Sequence, residues 1–416
     1  MTSESISTKS ISFDTCDLSS FAPELPAQAK LALRMLQKLE YGALRLELPN
    51  GECMHFGDHS HPVTLTLKNW DIFSASLRAG DIGFAETYID GHWHTDDLPA
   101  LIELFIRNRA AVESVIYGSW WGNLFNRIRH AFNRNSRTGS RKNIHAHYDI
   151  GNDFYRLWLD PSMTYSSALY MDGNTDLQQA QTAKYQRILD ELALPALSAP
   201  EQASVLEIGC GWGGFAELAC ASGAHVTGLT LSTEQLAFAA QRLERAGLED
   251  RSELRLQDYR DIDGQFDAIA SIEMFEAVGE SYWPDYFKCI ARNLKSDGRA
   301  CIQTIVIDNA LFERYRKGTD IIQQYIFPGG MLPSPQAFRE QAEKCGLRVI
   351  NEFNFGLDYA RTLAAWRQSF RAKLTEVHAQ GFDDRFVRTW DFYLAYCEAG
   401  FRAGSIGVAQ FTLAKT

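Results

Sequence analysis

The stretch VLEIGCGWGGF at residues 205–215 decides the fold. A short apolar run is followed by glycines at 209, 211, 213 and 214. That order predicts a buried strand, a tight turn and the start of a helix. Glycine in such a turn accepts positive φ and lets the backbone approach a ligand closely. The spacing G-x-G-x-G-G differs from the dinucleotide pattern G-x-G-x-x-G. Working outward, SVLEIGC (204–210), HVTGLTL (225–231), ELRLQD (253–258), FDAIASI (266–272) and RACIQTIVI (299–307) are short, turn-bounded and rich in β-branched residues. Helical stretches such as STEQLAFAAQRLERAG (232–247) lie between them, with Ser232 and Gln235 spaced as a capping box. RVINEFNF (348–355) and IGVAQFTLAK (406–415) supply later strands. The alternation predicts an α/β fold: a mostly parallel sheet covered by helices, with its ligand beyond the carboxyl ends of the strands.

The remainder of the 416 residues suits one or two further domains. Residues 1–25 are polar and predicted to be a disordered tail. Residues 26–107 form a small α+β unit. It opens with a helix carrying Leu31, Met35, Leu36 and Leu39, followed by a hairpin turning at Pro49-Asn50-Gly51 and a strand at VTLTLK (63–68). GDIGFAETYIDGHW (80–93) and DDLPALIELFIRN (96–108) read as turn and helix. Between 107 and 142 stand eight Arg or Lys residues against one acid, Glu113, together with Trp120, Trp121, Phe125 and Phe132. A basic helical segment with tryptophans (108–142) suits an anionic membrane surface. A linker packing its aromatics on the next domain is the plain alternative. The catalytic region runs from 143 to 416.

Charge and cysteine usage narrow the function. Fifty-two Asp and Glu against forty-one Lys and Arg give a net charge of -11, so no nucleic-acid partner is expected. No run of about 18 apolar residues predicts a membrane-spanning helix, and the N-terminus does not read as a secretory signal. Eight scattered cysteines without a CxxC pair point away from zinc and from a disulfide framework, toward a reducing cytoplasm. His55, His59 and His61 lie close together without a matching ligand set, so no metal is expected.

VLEIGCGWGG resembles the first motif of class I S-adenosylmethionine-dependent methyltransferases. Further segments resemble the cyclopropane fatty acid synthase and mycolic acid methyltransferase family within that class: HYDIGNDFYRLWLDPSMTYSSALY (147–170), GLTLSTEQ (228–235), QDYRDI (257–262), SIEMFEAVG (271–279), YIFPGGMLPS (325–334), FGLDYARTLAAW (355–366) and FRAGSIGVAQF (401–411). The segment 80–93 resembles the smaller domain of the bacterial phospholipid-acting members. The resemblance implies a Rossmann-like methyltransferase sheet of seven strands. It also implies a cofactor, S-adenosylmethionine, with Tyr165 and Ser166 closing over its methionine end. Gly209, Gly211 and Gly213 would pass beneath its centre, Thr230, Leu231 and Gln235 would hold the ribose and adenosine, and Asp258, Tyr259 and Ile272 would flank the adenine.

The family adds a one-carbon unit to a cis double bond of a lipid acyl chain. Ring closure needs a base, and the resemblance implies a bound bicarbonate held by a Cys, a Glu, a His, a Tyr and a backbone amide. These fall on Ser167, Glu276, Gln303, Tyr359 and Ile305, so the Cys and the His are replaced. Serine and glutamine can still donate to an anion. Without a base at the new methyl, the product would be a methyl-branched unsaturated chain. Phe154, Tyr155, Trp158, Phe275, Tyr325 and Phe327 can line an acyl channel or simply fill a core. The expected partners are unsaturated phospholipid acyl chains at an anionic membrane surface and a second copy as a homodimer. The expected location is cytoplasmic, on the inner face of the membrane. Methylation of a small molecule and a non-catalytic lipid-binding role are the more distant alternatives.

Overall fold

The computed structural model describes residues 25–58, 61–109, 150–171, 173, 175–194 and 203–416. The expected N-terminal tail and nearly all of the basic aromatic segment lie outside the described residues. The chain divides into two compact units. One comprises residues 1–126 with 383–403, the other 127–382 with 404–416.

The first unit is built on a four-stranded sheet, in the order β2-β1-β3-β4. Strands β1 (Ala43–Glu47) and β2 (Cys53–Gly57) form an antiparallel hairpin around Pro49-Asn50-Gly51, as the turn residues predict. Strand β3 (Val63–Leu67) runs parallel to β1, and β4 (Trp93–Thr95) closes the edge. Helix α1 spans Ala27–Leu36, α2 Asp71–Ala79, α3 Asp81–Ile89 and α4 Leu98–Arg107. Helix α1 buries Ala29, Ala32, Leu33 and Leu36. That is one i, i+3, i+4, i+7 stripe, so Leu31, expected on the apolar face, stays exposed. A helix from far along the chain completes this unit: Asp384–Arg402 buries Trp390, Phe392, Leu394 and Phe401. The Tyr88 hydroxyl donates to Asp391 and the Tyr396 hydroxyl to Asp81, both at 2.9 Å.

The second unit carries the seven-stranded sheet. Helices α5 (Asn152–Arg156) and α6 (Leu177–Leu192) precede it. Then follow β5 (Ser204–Ile208), α7 (Gly214–Ala221), β6 (His225–Thr230), α8 (Thr233–Arg245), β7 (Ser252–Leu256) and β8 (Phe266–Ile272). The chain continues through α9 (Trp283–Asn293), β9 (Leu294–Ile307), α10 (Asn309–Tyr315), α11 (Pro335–Lys344), β10 (Leu347–Asn354), α12 (Gly356–Ala372) and α13 (Leu374–Ala379). The helix Asp384–Arg402 is α14, and β11 spans Ile406–Lys415. The strand order is β10-β11-β9-β8-β5-β6-β7, parallel throughout except for β11, which runs antiparallel to both neighbours. The expected mostly parallel seven-stranded sheet is therefore present.

Both faces of that sheet are covered, which explains its near-continuous apolar strands. Leu206, Ile208, Ile269 and Ile302 face a core shared with Phe275, Trp283, Phe287 and Phe338. Val205, Val226, Ala268 and Cys301 face a second core with Ile188, Phe215 and Leu243. The strand order reverses between β5 and β8, and a crevice opens at the carboxyl ends there.

Candidate active site

A cavity of about 1170 Å³, counting its open mouth, occupies that crevice. The turn after β5 supplies Gly209 and Gly211 to its wall, the end of β6 supplies Thr230 and Leu231, and the first turn of α8 supplies Gln235. Asp258 and Tyr259 follow β7, Ile272 ends β8, and Tyr165 and Ser166 come from the segment before α6. Ten of the eleven residues expected at the cofactor are thus brought to one cavity. Gly213 stands apart: it has φ +82°, and a Cβ there would sit 2.9 Å from that of Ala239. Its glycine lets α7 start hard against α8. Gly209 has φ +86°, and a Cβ would press on the Met274 side chain at 3.0 Å.

The polar groups of the wall are held locally. Ser232 caps α8 by accepting from the Gln235 amide at 3.2 Å, as its spacing predicts. The Gln235 side chain does not complete the capping box. Instead it accepts from the Thr230 hydroxyl at 3.1 Å, and Thr230 in turn accepts from the Ser232 amide. The Asp258 carboxylate is engaged by Arg260 at 2.8 and 2.5 Å. Glu207, one residue before the end of β5, also lines the cavity. It is buried, and its Oε2 has no hydrogen-bond partner. Desolvation pushes its carboxyl up to about 8.

The five groups expected around bicarbonate do come together, but around two glutamates. Glu273 follows β8 with φ +51°, a conformation uncommon for any residue but glycine. Its Oε1 accepts from the Ser167 amide at 2.8 Å and from Gln303 Nε2 at 2.7 Å. Its Oε2 accepts from the Tyr359 hydroxyl at 2.6 Å. The Ile305 amide donates to Glu276 Oε1. The Ser167 hydroxyl turns away and donates to the carbonyl of Ala168 at 3.0 Å. The groups expected to bind a free anion are therefore taken up by protein carboxylates or by the backbone.

Neighbouring strands fix this arrangement. Gln303 on β9 and Gln410 on β11 are cross-strand partners. Gln303 Oε1 accepts from Gln410 Nε2 at 3.0 Å, and Gln410 Oε1 accepts from Arg187 at 2.6 Å. This chain leaves Gln303 its Nε2 for Glu273. Burial raises both glutamates. Glu273 is drawn back by the Tyr359 hydrogen bond, the charge of Lys184, and the Ser167 and Gln303 bonds. Glu276 is pushed up to about 8 by burial and by the Glu273 charge. Of the two close carboxyls, Glu273 has the fuller set of hydrogen-bond donors.

Sequence reasoning missed Glu273, Glu207, Gln410 and Lys184. A signal for Glu273 was present: two acids three apart, just past a strand, in SIEMFEAVG. Of the candidate channel aromatics, Phe154, Tyr155 and Trp158 are buried in one cluster with Tyr165 and Trp366. Phe275 packs in the sheet core on Trp283 and Tyr286. Tyr165 is the member of the first cluster that reaches the cavity.

The family model described as mycolic acid cyclopropane synthetase matches residues 135–411. Tuberculostearic acid methyltransferase UfaA1 of Mycobacterium tuberculosis is 37% identical over 404 residues, covering 94% of this chain and 92% of that protein. Cyclopropane-fatty-acyl-phospholipid synthase of Escherichia coli is 36% identical over 363 residues, with 86% and 89% covered. The crystal structure of mycolic acid cyclopropane synthase CmaA1 complexed with SAH and CTAB superposes with a TM-score of 0.60 at 32% identity, covering 66% of this chain and 98% of that one. By its sheet order, its motifs and these similarities, the chain belongs to the mycolic acid cyclopropane synthetase family.

Proposed function

We propose that the protein transfers a one-carbon unit from S-adenosylmethionine to the cis double bond of an unsaturated phospholipid acyl chain, with Glu273 as the base. The convergence of Ser167, Gln303 and Tyr359 on the Glu273 carboxylate carries this reading. A bicarbonate does not fit, because the groups that would hold it are committed to Glu273 and Glu276. No step is assigned to it.

The cavity suits the cofactor. The unpartnered, buried Glu207 Oε2 complements the ammonium of an amino-acid moiety. The glycine turn leaves room for a close approach at Gly211, where a Cβ would meet nothing within 4 Å. When bound, S-adenosylmethionine supplies an electrophilic methyl group. Tyr165, Ser166, Thr230, Leu231, Gln235, Asp258, Tyr259 and Ile272 line this cavity and are the residues that would hold the cofactor. Tyr165, the ring of that aromatic cluster that reaches the cavity, stabilises a cation on the acyl chain, with Trp158 and Trp366 packed behind it. Glu273 takes a proton from that cation, Tyr359 and Gln303 hold the carboxylate aimed, and the buried site excludes water.

Which proton Glu273 takes sets the product. Loss from the newly delivered methyl group closes a cyclopropane; loss from a neighbouring chain carbon leaves a methyl branch. The ring is the leading outcome, supported by the family model and by the similarity to a cyclopropane-fatty-acyl-phospholipid synthase; the branch is the alternative, supported by the replacement of Cys and His with Ser167 and Gln303 and by the similarity to a protein named as a methyltransferase. Trideuteromethyl cofactor separates the two outcomes. Three retained deuteriums mark the branch, and two together with cyclopropane proton resonances mark the ring. Glu273→Gln keeps the side chain's size and abolishes the base. We expect single-turnover transfer to fall by roughly 10²–10⁴-fold with cofactor affinity nearly unchanged. Wild-type turnover in that variant would remove Glu273 from the mechanism.

The substrate lies in a bilayer, so the reading places the protein at an anionic membrane surface, with the basic segment 108–142 as its attachment. No helix among the described residues is long and apolar enough to cross a membrane. A homodimer on the cytoplasmic face belongs to the same reading, on the resemblance alone.

A further inference from the structure

We infer that Arg187 and Gln410 are positioning residues that together fix which end of the Gln303 amide faces Glu273. The inference rests on the base role proposed for Glu273. The oxygen and nitrogen of a side-chain amide are nearly alike in size, so packing alone does not choose between them. Hydrogen-bond partners choose. Gln303 on β9 is 0% exposed and Gln410 on β11 is 1% exposed, so both amides find their partners inside the protein.

The chain of donors begins at Arg187 on α6. A guanidinium donates and never accepts, at any working pH. Arg187 Nη1 donates to Gln410 Oε1 at 2.6 Å. That turns Gln410 Nε2 toward Gln303, where it donates to Oε1 at 3.0 Å. The Lys184 carbonyl, an acceptor 3.5 Å from the same Nε2, favours the same orientation. Gln303 is left with its Nε2 toward Glu273 Oε1, at 2.7 Å. The direction of every bond thus follows from the first. Arg187 is itself held, by Glu191 at 3.2 Å and by the Phe353 ring at 4.1 Å. Glu191 accepts from Thr412 on β11 at 2.6 Å and from Asn351 on β10 at 2.7 Å. The guanidinium is therefore anchored to the sheet that carries both glutamines. A reversed Gln303 would set its oxygen against an oxygen of Glu273. A donor there supports the carboxylate that a base must present, and an opposed oxygen disfavours it. Arg187 and Gln410 stand outside the cavity lining, so they act through Gln303.

The test is single-turnover transfer in Gln410→Glu and Gln410→Met, with cofactor affinity and melting temperature measured beside it. The carboxylate introduced by Gln410→Glu accepts from Arg187 and from Gln303 Nε2, and so turns the Gln303 oxygen toward Glu273. Gln410→Met cuts the relay without reversing it. We expect transfer to fall roughly 10–100-fold in Gln410→Glu and about threefold in Gln410→Met, with cofactor affinity unchanged in both. A purely structural role gives the reverse order, because glutamate matches the shape of glutamine and methionine does not. That reverse order, or equal rates in the two variants, would overturn the inference. Should either variant fail to fold, neutron diffraction from deuterated wild-type crystals decides. Deuterons on the Gln303 atom facing Glu273 support the relay, and an oxygen there overturns it. Undiminished turnover in Glu273→Gln would overturn the base role itself, while the neutron map still judges the orientation of the two amides.

Discussion

Glu207 and Glu273 stand at the same end of adjacent strands, and their surroundings give them opposite tasks. Glu273 has three hydrogen-bond donors. Glu207 has an unpartnered oxygen and a carboxyl pushed up to about 8. In the unfolded chain a glutamate titrates near its ordinary value of 4.5. Between those two values the folded state holds a proton that the unfolded state has lost. Stability therefore falls as pH rises through that window, by about 1.4 kcal/mol per pH unit for each such group. Glu276, also near 8, adds to the same fall. Lys184, held below its usual range by burial, works in the opposite direction on the alkaline side. Glu207→Gln should raise the melting temperature of the cofactor-free protein at pH 7 and flatten its decline between pH 5 and 8. The same variant should weaken cofactor binding, because an amide offers an ammonium less than a carboxylate does. Calorimetric scans across pH, paired with titration of the cofactor, check both halves. An unchanged pH slope would mean that Glu207 is ionised in the folded protein. None of this was readable from VLEIGC, where the acid looks like one residue in a strand. Its role depends on which face of β5 is covered by α6, and that is a long-range fact. Glu273 was hidden differently, since a resemblance transfers only the roles its own members possess. The losses at Ser167 and Gln303 were visible, but the glutamate that occupies their place came from another segment.

At the level of elements, the strand–glycine–helix order was legible because it is local. VLEI alternates between two covered faces, the glycines supply positive φ, and Ser232 caps the next helix from three residues away. What local pattern did not convey was the pairing of β11 with β9, which brings Gln410 beside Gln303 across 107 residues. Antiparallel insertion of the last strand orients an amide on its neighbour, and only the assembled sheet shows it. The loop between β6 and α8 joins stability to ligand contact. Ser232 is buried, caps the helix and leaves Thr230 and Gln235 tied to each other at the cavity wall. Ser232→Ala should cost about 1 kcal/mol of stability. It should also loosen Gln235, so cofactor affinity should fall. A denaturant midpoint that shifts without any change in affinity would show that the cap supports the helix alone.

For the whole molecule, the chain leaves the sheet unit after α13, contributes α14 to the N-terminal unit and returns as β11. The N-terminal unit is thus made of two distant pieces of sequence. By position alone α14 reads as catalytic domain; its packing is with α3 and α4. Phe392 meets Phe84 and Tyr88, and Arg388 lies over the Tyr88 ring. Trp390, Phe392, Leu394 and Phe401 are each at most 2% exposed. A chain beginning at residue 150 would keep α14 and lose the elements that bury those residues. The uncovered apolar face would exceed what a soluble monomer usually shows. We expect such a truncated protein to aggregate on expression. If residues 383–403 are also replaced by a short Gly/Ser linker joining α13 to β11, solubility should return and the seven-stranded sheet should persist. Size-exclusion chromatography and circular dichroism of the two shortened chains make the comparison. A monodisperse, fully folded chain beginning at residue 150 would show that α14 does not need the N-terminal unit to stay in solution.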